Sequence, residues 1–228
     1  MNERSFINAK QLIESDKRHM PRALSPTRRR HLEDTAIRLF CQRGYCAVGL
    51  REIAEEAGVS LGNIYNHFER KEPLFDTIVD RLYQDFLADT EPLAQFVATA
   101  NLPEDTAALG RAVKAMVERH RAYLTVVYVD IAEFRGHHVR AHYQELASRF
   151  RAALAPALHD RSLLAEWVDP GVAFALLYLQ FASHFVIERL MGARHHLGLD
   201  DDQAIDTITR LFLLGVTPRA EPPKKAKR

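Results

Sequence analysis

Two short apolar stripes separated by one glycine-bearing turn constrain this chain more than any other feature. Leu50, Ile53, Ala54 and Ala57 recur at i, i+3, i+4 and i+7, the inner face of one amphipathic helix. Gly58 stops that helix. Ser60 stands where the next one needs a cap, and Leu61, Ile64, Tyr65 and Phe68 form the inner face of a second helix. Gly58-Val59-Ser60 is therefore a three-residue turn in which glycine permits the backbone and Val59 plugs the angle. Two short helices so joined make a helix-turn-helix. Its second helix, over 61–68, suits the DNA major groove and presents Gly62, Asn63, Asn66 and His67 outward. A glycine there allows close approach, and asparagine suits bidentate contacts with adenine or contacts with phosphate.

The rest of the chain is also helical in period, and no alternating β-branched run between hairpin turns marks a strand. Ser25-Pro26 opens a helix with Leu32, Ala36, Leu39 and Phe40 as its stripe, and Gly44 closes it. Glu72-Pro73 opens a long helix carrying Leu74, Ile78, Leu82 and Phe86, predicted to end before Pro92. Further helices are expected over about 104–120, 121–134 and 137–158. Asp169-Pro170 starts one that reaches about Met191 and is apolar on nearly every side. Asp200 to Asp202 place negative charge at the start of the last helix, which stops near Pro218. The fold class is all-α. A three-helix DNA-binding head is expected over 25–71 and a helical ligand-binding and dimerisation domain over 72–218, with a basic arm over 1–24 and a basic tail over 219–228.

Composition decides among partners only through its distribution. The formal net charge is +1, yet residues 1–30 hold eight Lys and Arg against three acids, and residues 219–228 hold five against one. These ends are either solvated termini or arms that add phosphate or minor-groove contacts. Cys41 and Cys46 match no disulfide framework and no CxxC motif, which fits a reducing cytoplasm. Cys41 reads as a small buried hydrophobe rather than half of a redox switch. The start of the chain has no apolar secretory core. The most apolar run, Val172 to Ile187, is shorter than a bilayer span and is interrupted by Gln180, Ser183 and His184, so no membrane partner is expected.

Over 30–74 the sequence resembles the TetR family of bacterial transcriptional regulators. The resemblance rests on Ala36-Ile37-Arg38-Leu39-Phe40, Gly44-Tyr45, Ile53 through Ser60, Gly62 through Phe68, and Lys71-Glu72-Pro73-Leu74, in order and in spacing. It implies that Tyr65 and Lys71 contact phosphates and that Ser60 caps the recognition helix near the DNA backbone. It also implies that Leu61, Gly62, Asn63 and Asn66 face bases or the groove wall. Two departures bear on this. Val48-Gly49 replaces the hydroxyl-bearing pair that usually caps the preceding helix, so Gly49 serves as a weaker cap and Arg51 is the candidate to compensate. Asn63 replaces the commoner threonine or other small residue.

The body offers an aromatic-rich set for an unidentified apolar or amphipathic effector: Phe86, Phe96, Met116, His120, Tyr123, Val127, Phe134, Phe174, Tyr178 and Phe181. The resembled family dimerises through a four-helix interface. The corresponding pair of helices here carries Ala175, Ala182, Ser183, Phe185, Val186, Leu190, Ile208, Leu211 and Phe212, with the small residues allowing close approach. The expected partners are thus a second copy of the chain and double-stranded DNA bearing an inverted repeat. His138 and His142, four apart with Asp130 and Glu133 upstream, are metal-ligand types, but a polar surface at a helix joint accounts for them. No metal or other cofactor is expected. No nucleophile–base spacing or glycine-rich phosphate loop suggests an enzyme. The leading expectation is a repressor released from DNA by a small molecule; the alternative is a ligand-independent architectural or partner-recruiting DNA-binding protein.

Overall fold

The computed structural model describes residues 24–99, 105–157 and 169–216, and every regular element among them is an α-helix. The chain divides into two compact units, residues 1–78 and 79–228.

In the first unit, α1 (Pro26–Arg43) begins where the Ser25 hydroxyl accepts the Arg28 N–H at 3.4 Å, with Pro26 in the first turn. It ends at Gly44, whose φ of 79° favours glycine and whose N–H reaches the Phe40 carbonyl at 2.9 Å. Next come α2 (Leu50–Glu56) and α3 (Leu61–Tyr65), with Gly58 between them at φ 62°. α2 packs against both α1 and α3. The unit's core joins Leu32, Phe40, Ile53 and Ile64 to Leu74, Phe75 and Ile78 from the start of α4 (Lys71–Thr99). The division between the units therefore falls inside α4, not at its first residue, because that helix's opening turns are core to the first unit.

Two boundaries differ from expectation. α3 stops at Tyr65, short of Phe68, and the following N–H groups of His67 and Phe68 both close on the Ile64 carbonyl, a tightened last turn. α4 runs on through Pro92. A helical proline costs one backbone bond, but the buried side chains of Leu87 and Leu93 on either side of it offset the loss.

The second unit adds α5 (Thr106–Arg119), α6 (Arg121–Phe134), α7 (Arg140–Ala157), α8 (Pro170–Arg189) and α9 (Asp201–Val216). α5 lies against α8 and α9, and α8 also meets α7. Asp169 caps α8 by accepting the Val172 N–H at 2.9 Å. α9 opens with a reciprocal cap in which Asp200 Oδ1 accepts the Gln203 N–H (2.8 Å) and Gln203 Oε1 accepts the Asp200 N–H (3.0 Å). By length and composition α8 is apolar enough over Gly171–Arg189 to cross a membrane, but Phe181 and Phe185 are fully buried within the unit, as in a core helix.

The histidines near the α6–α7 joint do not converge. His138 Nδ1 pairs with the buried Asp130 at 2.5 Å, while His142 Nε2 pairs with Asp80 at 2.9 Å and stacks on Tyr83. Each has its own carboxylate, and the two do not assemble as one metal site. In the first unit Cys41 and Cys46 are both thiols, and burial pushes Cys41 up to about 11, away from the reactive thiolate.

The α5–α8 contact hinges on Gly110. A Cβ added there would lie 2.8 Å from the Phe181 ring and 3.1 Å from Ile205 Cγ2. Gly110→Val is expected to cost about 1–3 kcal/mol through overpacking. Gly62→Ala, where a Cβ meets nothing within 4 Å, should leave stability unchanged or slightly raised. Urea denaturation of the two variants checks the contrast.

Candidate nucleic-acid interface

The turn before α3 is built by local chemistry. Ser60 has extended backbone, and its hydroxyl accepts the Asn63 N–H at 3.2 Å. That cap fixes where α3 starts and hence which side chains face solvent. Gly62, Tyr65 and Asn66 are exposed, Leu61 and Asn63 are half-buried, and Ile64 is fully buried beneath them. Of the set expected outward, Gly62 and Asn66 are exposed and Asn63 is half-buried, whereas Tyr65, expected on the inner face, is 52% exposed. On α2, Arg51 is exposed and pairs only loosely with Glu55 across one helical turn at 3.1 Å. Gly49 takes the N-cap position and gives no side-chain hydrogen bond, and the space around it is open.

His67 departs from the expected role. It is half-buried, and its Nε2 accepts the Leu24 N–H at 3.0 Å. The imidazole fastens the residue that leads into α1 instead of facing a groove, because α3 ends before it and the tightened turn swings it back.

Lys71 also has a second task. Its ammonium donates to the carbonyls of Tyr45 (2.6 Å) and Val48 (2.7 Å) and lies 3.9 Å from the centre of the Tyr45 ring. It thus ties the first turn of α4 to the segment that leads into α2. Tyr45 is itself held between Phe40 and Phe75, with ring centres 5.5 and 5.1 Å away. α2 is further laced to α1 by Arg38–Glu56 at 2.5 Å and by Arg43–Glu52. These positioning groups escaped the sequence reasoning. The Tyr45 and Val48 acceptors are backbone carbonyls, which have no residue signature, and the arginine–glutamate pairs are remote in sequence.

The effector candidates of the second unit fall into three groups. Phe86, Met116, Tyr123, Phe174 and Phe181 are buried in one cluster, and Val127 and Tyr178 pack at its edge. Burial pushes the Tyr178 phenol up to about 12 and raises that of Tyr123 as well. His120 is buried beside Phe86 and pairs with Asp89 at 2.8 Å, and Phe134 packs edge-on to His138 at the end of α6. The side chain of Phe96 lies outside the described residues.

The dimer candidates divide by face. Ala175, Ser183 and Leu211 are exposed, and Ala182, Leu190 and Phe212 are half-buried. Phe185, Val186 and Ile208, expected at the dimer interface, are buried in the chain's own core. The exposed apolar positions include Val172, Leu176 and Leu179 on α8 and Leu211 and Leu214 on α9. On a helix apolar all round, the period does not say which side faces inward.

Lys71→Met is expected to remove two charge-assisted bonds and lower the stability of the folded chain by about 1.5–3 kcal/mol. It should also weaken binding to all DNA sequences alike. Thermal unfolding and salt-dependent DNA binding check this. A lysine acting only on phosphate would instead lower the salt slope by about 1 and leave stability unchanged.

The family model described as bacterial regulatory proteins, tetR family, matches residues 32–78, the segment that carries α2, α3 and their flanks. The HTH-type transcriptional repressor KstR2 of Mycobacterium tuberculosis is 31% identical over 152 residues, covering 67% of this chain and 74% of that protein. The solved structure of the ketosteroid transcriptional regulator KstR2 of Mycobacterium tuberculosis shares the fold at 20% identity and a TM-score of 0.58, covering 88% of this chain and all of that one. So does NalD, the secondary repressor of the MexAB-OprM multidrug efflux pump in Pseudomonas aeruginosa, at 18% identity and a TM-score of 0.58, over 85% of this chain and 98% of that one. The capped turn, the side chains it exposes and these likenesses agree, and the chain belongs to the tetR family of bacterial regulatory proteins: it is a DNA-binding transcriptional regulator.

Proposed function

We propose that the protein is a homodimeric repressor, active in the cytoplasm and on the nucleoid, that an apolar or amphipathic small molecule releases from an inverted-repeat operator. The observation that carries this reading is the exposed set Gly62, Tyr65 and Asn66 on a short helix whose start is fixed by the Ser60 cap. Gly62 allows close approach, Tyr65 offers a hydroxyl to phosphate, and Asn63 and Asn66 carry the base preference. Arg51 and Lys71 add positive charge beside them, with Gly49 leaving room at the start of α2.

Dimerisation is supported by the apolar side chains that one chain leaves in water. Leu176, Leu211 and Leu214 are each 60% exposed or more, on two helices that pack together. Burying them against a second copy removes that surface from water at roughly 25 cal/mol per Å². A two-fold dimer presents two recognition helices, so its site is an inverted repeat with half-site centres ~34–36 Å apart, or a multiple.

Release is supported by α4, which gives Leu74, Phe75 and Ile78 to the core of the first unit and Tyr83, Phe86, Leu87 and Leu93 to that of the second. A molecule that binds one arrangement of this helix better than another shifts the spacing of the recognition helices. The relative KstR2 bears the name of a ketosteroid regulator, in keeping with the aromatic cluster around Phe86, Tyr123 and Phe174.

Selection of bound sequences from random DNA is expected to return an inverted repeat. A single asymmetric motif overturns the dimeric reading. Compounds that dissociate the complex should then bind the free protein ~5–150-fold more tightly than the operator complex, as linkage requires. Calorimetry with and without saturating operator reads this directly. Equal affinities, or no releasing compound, favour the ligand-independent alternative.

A further inference from the structure

The end of α8 and the loop after it hold three metal-ligand side chains that the proposed DNA-binding and effector functions do not use. His184 and Glu188 lie four residues apart on α8 and so share one face of the helix. His196 comes from the loop that follows. One ligand atom from each lies within 4.8 Å of the others. His184 is 5% exposed and Glu188 2%. We infer that His184, Glu188 and His196 form a binding site for a divalent transition-metal ion, with Zn2+ the best match.

The independent sign is His184 itself. Both of its ring nitrogens are buried, and neither has a hydrogen-bond partner. A buried imidazole pays for desolvation without return unless something accepts its lone pair or takes its proton. A metal ion does the first. The ring faces the other ligands, its centre 5.0 Å from that of His196. Burial also favours the neutral imidazole, the form that ligates.

The remaining ligands are already oriented. Glu188 Oε2 accepts a bond from Arg189 at 3.1 Å, and Oε1 is hydrogen-bonded to His196 Nδ1 at 3.2 Å, a contact that a metal ion bound between the two would replace. The loop is braced by its own bonds: Gly198 N–H to the His195 carbonyl at 2.7 Å, and His195 Nδ1 to the Leu199 carbonyl at 2.8 Å. Tetrahedral ligands at ~2.0–2.1 Å from zinc sit roughly 3.3 Å apart. The Glu188–His196 pair already has this spacing, and from separations of at most 4.8 Å a contraction of up to about 1.5 Å at His184 closes the set. The local charge suits a cation, with Glu118, Glu188 and Asp201 set against Arg189 and Lys114. Two imidazoles and one carboxylate select zinc or its transition-metal neighbours over magnesium or calcium, which prefer all-oxygen cages. A bound ion would pin the 190–200 loop to the end of α8. This assignment stands apart from the proposed effector site and does not depend on it.

The test uses the full, tag-free chain, stripped with chelator and titrated with Zn2+ alone. One tight site per chain is expected, with a rise in Tm on saturation. Co2+ should give the visible absorption of a tetrahedral centre. His196→Ala, whose side chain is half-buried on a loop, should fold as the parent does and lose at least about tenfold in affinity together with the Co2+ signal. Glu188→Gln should lose the site as well, while replacing the exposed His31 of α1, His31→Ala, should keep it. No tight site in the parent chain overturns the assignment, as does unchanged affinity in His196→Ala. Loss of the site in His142→Ala instead would place the metal elsewhere and overturn it equally.

Discussion

The ammonium of Lys71, held by the Tyr45 and Val48 carbonyls and the Tyr45 ring, joins the parts of the first unit that must be placed together. On one side stands the turn that launches α2, and on the other the first turn of α4. Phe40, Tyr45 and Phe75 close around the same point. A lysine suits the position because its ammonium lies over the ring and answers two carbonyls that no helix satisfies. α2 carries α3 through the Gly58 turn, so the orientation of the recognition helix rests on this junction as much as on its own cap.

The second unit faces a different constraint. α8 is apolar on nearly all sides, and one helix cannot bury every side within a single small body. Phe174, Leu177, Phe181 and Phe185 take the inner face, where the absent side chain of Gly110 lets α5 come close. Val172, Leu176 and Leu179 are left outside. The polar end of the helix is organised by charge: Arg189 meets Glu118, Glu188 and Asp201, which joins α5, α8 and the start of α9. His184 and His196 sit at the edge of that network.

Local chemistry was legible in the residues. Ser25-Pro26, Gly44, Gly58, Ser60 and Asp169-Pro170 mark helix boundaries through short-range bonds and backbone sterics, and the structure places them there. Gly62 and Asn66 followed from the same local frame, since a capped helix with Ile64 buried leaves them outside, but Tyr65, read as an inner-face residue, is exposed. Where the local frame ended, the sequence reasoning missed. His67 turns back to Leu24, 43 residues away in the chain, and Pro92 does not stop a helix that buried neighbours hold together.

The sequence by itself determined an all-helical chain, a capped helix-turn-helix and the family to which it belongs, because periodicity, caps and a spaced motif are written within a few turns of helix. Only the tertiary structure decided which side of α8 is core, that Lys71 serves the backbone of a distant turn, and that His184, Glu188 and His196 meet. Each of these depends on groups far apart in sequence or on backbone atoms that every residue shares. Side-chain order alone does not encode such distances; packing does.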